Sequence, residues 1–462
     1  MDSDLIKIAL LLPYYALAAP ALGFLLRGRP RAQQLAVAVL CFTTIEGIMG
    51  PANWSLTLSS TDEAPRSHTK GFYFFFNVAL AMALVLAKYL EDRRSFRWLP
   101  PGLGWYLGYC GLSLLSLVSA FNPAYVFMAA HKHLIVAWVM LAVFNAVRTD
   151  EDIANVIRAF VVTMTWQMIV CLKLKYYHGI YQVHGTFEHQ NSLGTYAVLI
   201  GMVMLAVAFG PKTNPPSRAL WGFLASAVVV QATVSRGSMG AFAAGVVTVV
   251  VVSLLRNLQL RTLAIASSLA LVGALGLTLT LDTIISRFHD SGNLASGQLR
   301  EIMNAASRDM VRDYPFGVGW NNYALAANRP YPYAEHYEQL GGLQAHPDHH
   351  HAVVESHYYL LLSETGYVGL IGWLAVIGTA LLRNIRAFFA FGYSFRGMLS
   401  LGIATGCVCN YAQSTLERTL TQPRNLMLFL ILLAVTARLE VLRREQRRAA
   451  GLPEHLSLAA GP

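Results

Sequence analysis

Apolar stretches of near-membrane length alternate with short polar segments along the chain. A helix needs about 20 apolar residues to cross a bilayer, and the stretches that approach this length carry little charge. They are 5–26, 32–50, 72–90, 103–120, 124–147, 153–174, 191–210, 219–234, 238–255, 262–282, 366–382, 397–415 and 424–441. This pattern predicts an all-α polytopic membrane protein with about 12 or 13 transmembrane helices. The lower number applies if 5–26, which contains Pro13 and Pro20, does not span cleanly.

One long polar interval interrupts the alternation and predicts how the chain is divided. We expect ten transmembrane helices in 1–283, a large extramembrane loop with short helices in 284–364, further transmembrane helices in 365–442 and a disordered tail in 443–462. Catalytic residues concentrate on loops that a rigid scaffold positions. The sequence therefore predicts that the chemistry takes place in or beside 284–364.

Composition supports a membrane protein and limits its partners. Charged residues make up 13% of the chain, about half the share of roughly 25% found in soluble domains. The net charge of +10 is spread over short loops, which argues against a nucleic-acid-binding domain. Because Lys and Arg mark cytoplasmic loops, we expect these loops and the C-terminus in the cytoplasm and the large loop in the periplasm. The five cysteines all lie in apolar stretches and predict no disulfide framework.

Two motifs lie where predicted helices begin. Residues Gly185–Gly194 (GTFEHQNSLG) precede an apolar stretch, and Asn191 or Ser192 could cap that helix and leave its N–H groups to an anion. The alternative is an ordinary capped helix. Residues Ser235–Gly237 form a tight turn between two apolar stretches. Its Arg236 is either an interface anchor or, because the preceding residues are unusually polar for a helix end, a functional residue.

The loop itself contains three candidates. Arg300 opens an amphipathic helix, and a guanidinium suits a diphosphate because its planar fork makes bidentate contacts; the alternative is a solvated charge. Residues 315–320 (PFGVGW) predict a close backbone approach at the two glycines. They also offer Trp320 as a sugar-stacking face, unless they form only a packed turn. Glu355 lies at the predicted boundary between the loop and the membrane.

A histidine-rich segment, 346–351 (HPDHHH), raises the question of a metal. Structural zinc sites use spaced ligands, whereas adjacent histidines cannot all point at one ion and no second spaced ligand group is evident. We therefore expect a polar loop and no metal site. Lys70 and the pair His131 and His133 are candidates for extra positive charge at an anion site, or else interface residues.

Four of these stretches, in this order, resemble landmarks of the O-antigen ligase and Wzy O-antigen polymerase superfamily of bacterial membrane glycosyltransferases. The landmarks are Gly185–Gly194, Val234–Gly237, Arg300 followed by Asp313–Gly319, and Glu364–Gly366 followed by Gly369. The likeness spans roughly 100–440. It implies a GT-C-like architecture in the bacterial inner membrane.

The resemblance also implies a reaction. A glycan would pass from an undecaprenyl-diphosphate carrier to an acceptor sugar hydroxyl, with no metal or other cofactor. Arg236 and Arg300 occupy the positions of arginines that contact the diphosphate in the family. Further donor- or glycan-binding candidates are Asn191, His189, Trp320 and Lys70.

One position departs from the ligase pattern. Glu355 stands where the ligases have a histidine eleven residues before the glycine that matches Gly366. Either Glu355 acts as the base, or His357 takes that role after a shift in register. The departure favours a repeat-unit polymerase over a lipid A-core ligase.

The resemblance and its main alternative differ in the partners they require. For the transferase these are a polyprenyl-diphosphate-linked glycan, an acceptor glycan or lipid A-core, membrane lipids, and a flippase or chain-length regulator. The alternative is a lipid-linked oligosaccharide flippase or transporter. Such a protein needs basic groups in the membrane core reachable from both sides and often shows paired halves, whereas this chain has no visible repeat and only Lys132 near such a position.

Overall fold

The computed structural model describes residues 13–45, 55–58, 67–211, 218–271, 273, 278, 292–338 and 353–449. Its α-helices, in chain order, are α1 Ala19–Leu26, α2 Pro30–Phe42, α3 Phe76–Glu91, α4 Leu103–Leu114, α5 Pro123–Ala146, α6 Asp150–Leu172, α7 Gln190–Phe209, α8 Ala219–Thr233, α9 Arg236–Arg256, α10 Leu260–Leu271, α11 Gly292–Asp313, α12 Tyr323–Ala326, α13 Ala334–Glu338, α14 His357–Phe391, α15 Phe395–Gln413 and α16 Pro423–Ala449. The only strands among the described residues, β1 Ser55–Leu58 and β2 Phe72–Phe75, pair antiparallel.

The helices follow the apolar pattern of the sequence. Each of the thirteen predicted apolar stretches overlaps one of the helices. Within the described residues, six helices are long and apolar enough to cross a membrane, and four further apolar helices are shorter. The predicted class, an all-α polytopic membrane protein, is confirmed. Residues 5–12 of the first predicted stretch lie outside the described residues.

Helix α7 lies at the centre of the bundle. Every residue from Ser192 through Phe209 is buried, as expected for a helix that is apolar all round and enclosed by other helices. It packs against α8, α9 and α15. A Cβ added to Gly402 of α15 would lie 2.7 Å from the Cα of Val203, so a small residue is what lets these two helices approach so closely. Because α7 is surrounded, its N-terminal end has a fixed position.

Two of the landmark motifs pack against each other. Residues 315–319 run along the region where α14 is broken at Gly366, which has φ 66° and ψ −169°. The amide of Val318 donates to the carbonyl of Ser363 (2.9 Å), and that of Gly319 donates to the carbonyl of Glu364 (3.1 Å). A Cβ added to Gly317 would lie 2.3 Å from the Glu364 carbonyl oxygen. The predicted close backbone approach at these glycines is therefore confirmed. It docks onto α14 the described residues 292–338 of the loop that the sequence predicts to be extramembrane, which we name the extramembrane segment.

A buried polar cluster lies beneath this contact. The carboxylate of Glu364 accepts hydrogen bonds from the amide of Tyr323 (3.1 Å) and from His68 Nε2 (3.1 Å). The ammonium of Lys132 donates to Thr69 Oγ1 (2.7 Å) and to the carbonyl of Thr421 (3.0 Å). Buried charges need such partners. The cluster joins residues 67–70, helix α5 and the turn after α15 to the docked segment.

The structure describes the first part of the predicted C-terminal tail. Helix α16 continues to Ala449, so residues 443–449 of the predicted disordered tail are helical. Arg443 and Arg444 each pair with Glu440 one turn earlier, which stabilises this last part of the helix.

The histidine-rich segment 346–351 lies outside the described residues. All five cysteines are buried and free.

Candidate active site at the loop-bearing end of the helices

A cavity of about 560 Å³ opens where the extramembrane segment meets the helices. It draws its walls from five separate parts of the chain. The lining residues are Gln182, His189, Gln190, Asn191, Val234, Ser235, Arg236, Gly237, Gly297, Arg300, Glu355, Leu416 and Glu417. Five of the eight predicted site residues are therefore brought together: His189, Asn191, Arg236, Arg300 and Glu355.

Two long helices begin at the wall of this cavity. Helix α7 starts at Gln190, and its N-cap is His189, whose Nδ1 accepts a hydrogen bond from the amide of Asn191 (3.2 Å). The prediction of Asn191 or Ser192 as the cap was wrong, because the helix begins at Gln190, two residues before the start that an Asn191 cap would give. Helix α9 starts at Arg236 after the N-cap Ser235. The positive ends of two helix dipoles therefore face one space, which favours an anion there.

The start of α9 is held tightly against α7. A Cβ added to Gly194 would lie 2.2 Å from Ser238 Oγ. Gln413 of α15 donates from Nε2 to the same hydroxyl (2.9 Å). The turn before α9 brings Val234 to a positive φ of 51°, a conformation that L-residues rarely adopt. Residues of α7 and α15 therefore hold in place the start of α9, from which Arg236 projects.

Arg300 is the cation of the extramembrane segment that lines the cavity. It lies within α11, which begins at Gly292 rather than near Arg300 as predicted. Its Nε donates a short hydrogen bond to Glu355 Oε2, and its Nη2 lies 3.6 Å from Glu417 Oε1. The guanidinium is thus in contact with two carboxylates from two other segments.

Glu417 is a cavity residue that sequence reasoning missed. Asn191 Nδ2 donates to Glu417 Oε1 at 2.6 Å. Burial raises the pKa of Glu417 to about 7, and the negative charge of Glu355 adds to this shift, although Asn191, Arg300 and Arg418 oppose it. A carboxyl group with a pKa near neutrality can exchange protons under physiological conditions. The available signal was the charged pair Glu417 and Arg418 between two apolar stretches.

Arg418 stands directly behind the cavity wall. Its Nη1 donates to the carbonyl of Val353 (2.9 Å), which ties the turn after α15 to the segment that precedes α14. Burial lowers the pKa of Arg418, while the nearby carboxylates of Glu355 and Glu417 raise it. Arg418 therefore contributes positive charge next to both cavity carboxylates.

The other three predicted site residues do not line the cavity. Trp320 is 1% exposed and packs against His133, with ring centroids 4.7 Å apart. Docking of residues 315–319 turns the ring of Trp320 into the core, which is the packed turn given as the alternative and disfavours a sugar-stacking face. His357 is 2% exposed and its ring packs against Trp373. Lys70 is half-buried, and its amide donates to the hydroxyl of Tyr73 (3.3 Å).

The described residues also bear on metal binding. Among them, no group of three or more His, Cys, Asp or Glu side chains is placed to hold a metal ion. What the cavity does provide is two arginines, two helix N-termini and two carboxylates. This arrangement can bind a doubly charged anion and accept a proton beside it.

Comparison with known proteins agrees with this arrangement. Residues 221–374 match a family model described as O-antigen ligase. The matched region contains Arg236, Arg300, Glu355 and the docked motif pair, whereas Asn191 and Glu417 lie outside it. No curated protein matches the chain. Over residues 221–374, the chain is therefore similar to the O-antigen ligase family, and this match supports the resemblance to the O-antigen ligase/Wzy superfamily.

Proposed function

We propose that this multi-pass membrane protein transfers a glycan from an undecaprenyl-diphosphate carrier to a sugar hydroxyl during the synthesis of a surface polysaccharide or lipopolysaccharide. The observation that carries the proposal is that Arg236 and Arg300 line one cavity although they lie on different helices. A diphosphate leaving group develops negative charge in the transition state, and fixed cations stabilise that charge. The two helix N-termini add to the same effect.

The residues of the cavity account for each part of the reaction. The acceptor oxygen attacks the anomeric carbon, and the bond from that carbon to the diphosphate oxygen breaks. The diphosphate leaves with the electron pair and is held by Arg236 and Arg300. The proton of the acceptor hydroxyl passes to a carboxylate. Glu355 suits this role better than His357, because Glu355 lines the cavity and His357 is buried outside it. This scheme needs no metal ion or other cofactor, since arginines supply the positive charge.

The identity of the acceptor follows from the residue at position 355. A carboxylate in place of the ligase histidine favours a repeat-unit polymerase over a lipid A-core ligase. A flippase that delivers the donor, and a chain-length regulator, are the partners that such a polymerase requires. Oligosaccharide repeat units are therefore the acceptors to test first.

Orientation follows from the ends of the helices. Helices α9, α14 and α16 begin near the cavity and carry Arg256, Arg383 and Arg443 toward their other ends. Because basic residues mark the cytoplasmic side, we place the cavity on the periplasmic face of the bacterial inner membrane and the C-terminus in the cytoplasm.

The environment of Lys132 disfavours the flippase alternative. A flippase needs cations within the membrane core that substrate can reach. Lys132 is 1% exposed, and its ammonium is bonded to Thr69 and Thr421. This supports a structural role for Lys132 and a transferase rather than a transporter.

The test compares Arg236→Ala and Arg300→Ala in membranes of cells that make the polymer. Both variants should lose polymer or ligated product on a glycan gel while the protein is still present at wild-type levels. Arg308→Ala is the matched control, since Arg308 lies on α11 but pairs with the exposed Glu301. Full product from either of the first two variants would contradict the proposal.

A further inference from the structure

The guanidinium of Arg300 contacts two carboxylates from two other segments of the chain. Its Nε donates to Glu355 and its Nη2 faces Glu417 at 3.6 Å. We propose that Glu417 is a further functional residue: together with Glu355 it holds Arg300 until a diphosphate displaces both carboxylates, so that Glu355 becomes available to the acceptor only after the donor has bound. This inference rests on the proposed function. We name Glu355 and Glu417 the carboxylate clamp.

The clamp uses the groups of Arg300 that a diphosphate would use. A guanidinium offers five N–H donors in a planar fork, and here two edges of the fork face two separate carboxylates. Two carboxylates also carry up to two negative charges, as a pair of phosphates does. The clamp and a diphosphate therefore compete for one cation.

The clamp can open because its contacts are partly exposed. The side chains of Arg300 and Glu355 are 31% and 35% exposed, and ion pairs of this kind are weak. A diphosphate gains more, because Arg236 and the starts of α7 and α9 line the same cavity. When Arg300 leaves the two carboxylates, Glu417 Oε1 still accepts the hydrogen bond from the side-chain amide of Asn191 (2.6 Å). Arg418 lies close to both carboxylates. Opening thus leaves neither carboxylate without a partner.

The clamp sets the order of binding. While Glu355 Oε2 accepts the hydrogen bond from Arg300, that oxygen is engaged and is not free to take the hydroxyl proton of an acceptor. Water or an acceptor that reaches the empty cavity is then not activated. Arrival of the diphosphate removes Arg300 from Glu355 and leaves a carboxylate ready to take the hydroxyl proton. The acceptor is consequently activated only after the donor has bound.

Protonation of Glu417 should weaken the carboxylate clamp in its competition with a diphosphate for Arg300. The groups that face it are Glu355, Arg300, Arg418 and, across the cavity, His189, together with the amide of Asn191. The pKa of Glu417 is raised to about 7, so the group is mostly neutral below that pH and mostly charged above it. Diphosphate binding should therefore strengthen as the pH falls through 7 and weaken as it rises.

The experiment uses inorganic pyrophosphate as the probe and the full-length protein in nanodiscs at low salt. Calorimetry at pH 7.5 should show that Glu355→Gln and Glu417→Gln each bind pyrophosphate about three- to tenfold more tightly than the wild type, since each removes one weak competing ion pair. Arg300→Ala should bind it more weakly than the wild type. Glu301→Gln, on the exposed side of α11, is the matched control and should leave the affinity unchanged.

The outcomes separate the clamp from the proposed function. If the wild type binds pyrophosphate and Arg300→Ala does not, but neither glutamine variant binds more tightly, the clamp is overturned and the transferase proposal stands. If neither the wild type nor any variant binds pyrophosphate, the proposed function fails. Glu355→Gln should gain pyrophosphate affinity yet lose transfer, a combination that structural damage does not produce.

A second measurement keeps the test decisive if a glutamine variant does not fold. Pyrophosphate affinity is measured from pH 6 to 8 for the wild type and for the conservative variant Glu417→Asp. Titration of the probe itself is common to both proteins, so their difference reports residue 417. Identical pH profiles for the two proteins would contradict a role for Glu417 in the competition.

Discussion

Replacement of Gly317 by alanine should undock the extramembrane segment from α14. Gly317 has φ +85°, and its added Cβ would lie 2.3 Å from the Glu364 carbonyl oxygen. A left-handed backbone costs an L-residue about 1 to 2 kcal/mol, and overpacking against an atom that cannot rotate away costs about 1 to 3 kcal/mol. Together these terms predict a loss of about 2 to 5 kcal/mol. For a chain of this size that corresponds to a fall in Tm of roughly 2 to 8 °C.

Two other glycines in this chain separate the two causes. Gly28 has φ +67° but no heavy atom within 4 Å of an added Cβ, so Gly28→Ala isolates the backbone cost. Gly378 lies within α14 with no positive φ and no neighbour within 4 Å, so Gly378→Ala should be neutral or slightly stabilising. Thermal unfolding of the detergent-solubilised proteins should rank them with Gly378→Ala as the most stable and Gly317→Ala as the least stable.

The consequence for function distinguishes docking from mere stability. Because residues 315–319 immediately follow α11, undocking them should displace Arg300 and reduce pyrophosphate affinity at a temperature where Gly317→Ala is still folded. Gly28→Ala should not change that affinity. A Gly317→Ala protein with the Tm and the affinity of the wild type would refute the reasoning.

Two further predictions concern buried side chains. Trp320→Ala should lower the free energy of unfolding by about 3 to 5 kcal/mol, as loss of a fully buried aromatic does. Trp320→Phe should lower it by much less. A Trp320→Phe variant that folds normally but no longer binds glycan would instead support the sugar-stacking role. Lys132→Met should lower Tm, because Glu364 and Thr421 lose their buried cation. The pyrophosphate affinity of the folded variant should stay unchanged. A loss of affinity without a loss of Tm would place Lys132 in the binding site.

The helices could be predicted from the sequence, because the signal that makes them is local. Length and apolar content alone place every predicted stretch on a helix. The errors lie at the ends, where a single side chain decides the outcome. At α7 the capping group is a histidine nitrogen, which ranks below Asn or Ser as a cap. At the C-terminus, pairing of Glu440 with arginines extends α16 beyond its apolar part.

The site was predictable only in part, because contacts between distant segments create it. Arg236 and Arg300 stood out as cations beside motifs, and both line the cavity. Glu417 also lines the cavity, but it does not stand out in the sequence, because nothing near it indicates that Asn191 and Arg300 approach it. For the same reason the sequence left two readings of Trp320 open, since the burial of an aromatic in a loop depends on what the loop docks against.

The cavity combines a rigid half with a docked half. Asn191 and Arg236 belong to starts of α7 and α9, which the surrounding helices hold in place. Arg300 and Glu355 belong to segments outside the helix layer, which the 315–319 contact anchors. Positive charge for an anion is therefore contributed from both sides of the boundary between the two halves. A donor diphosphate that bridges Arg236 and Arg300 would itself join them, which makes substrate binding and docking of the loop mutually stabilising.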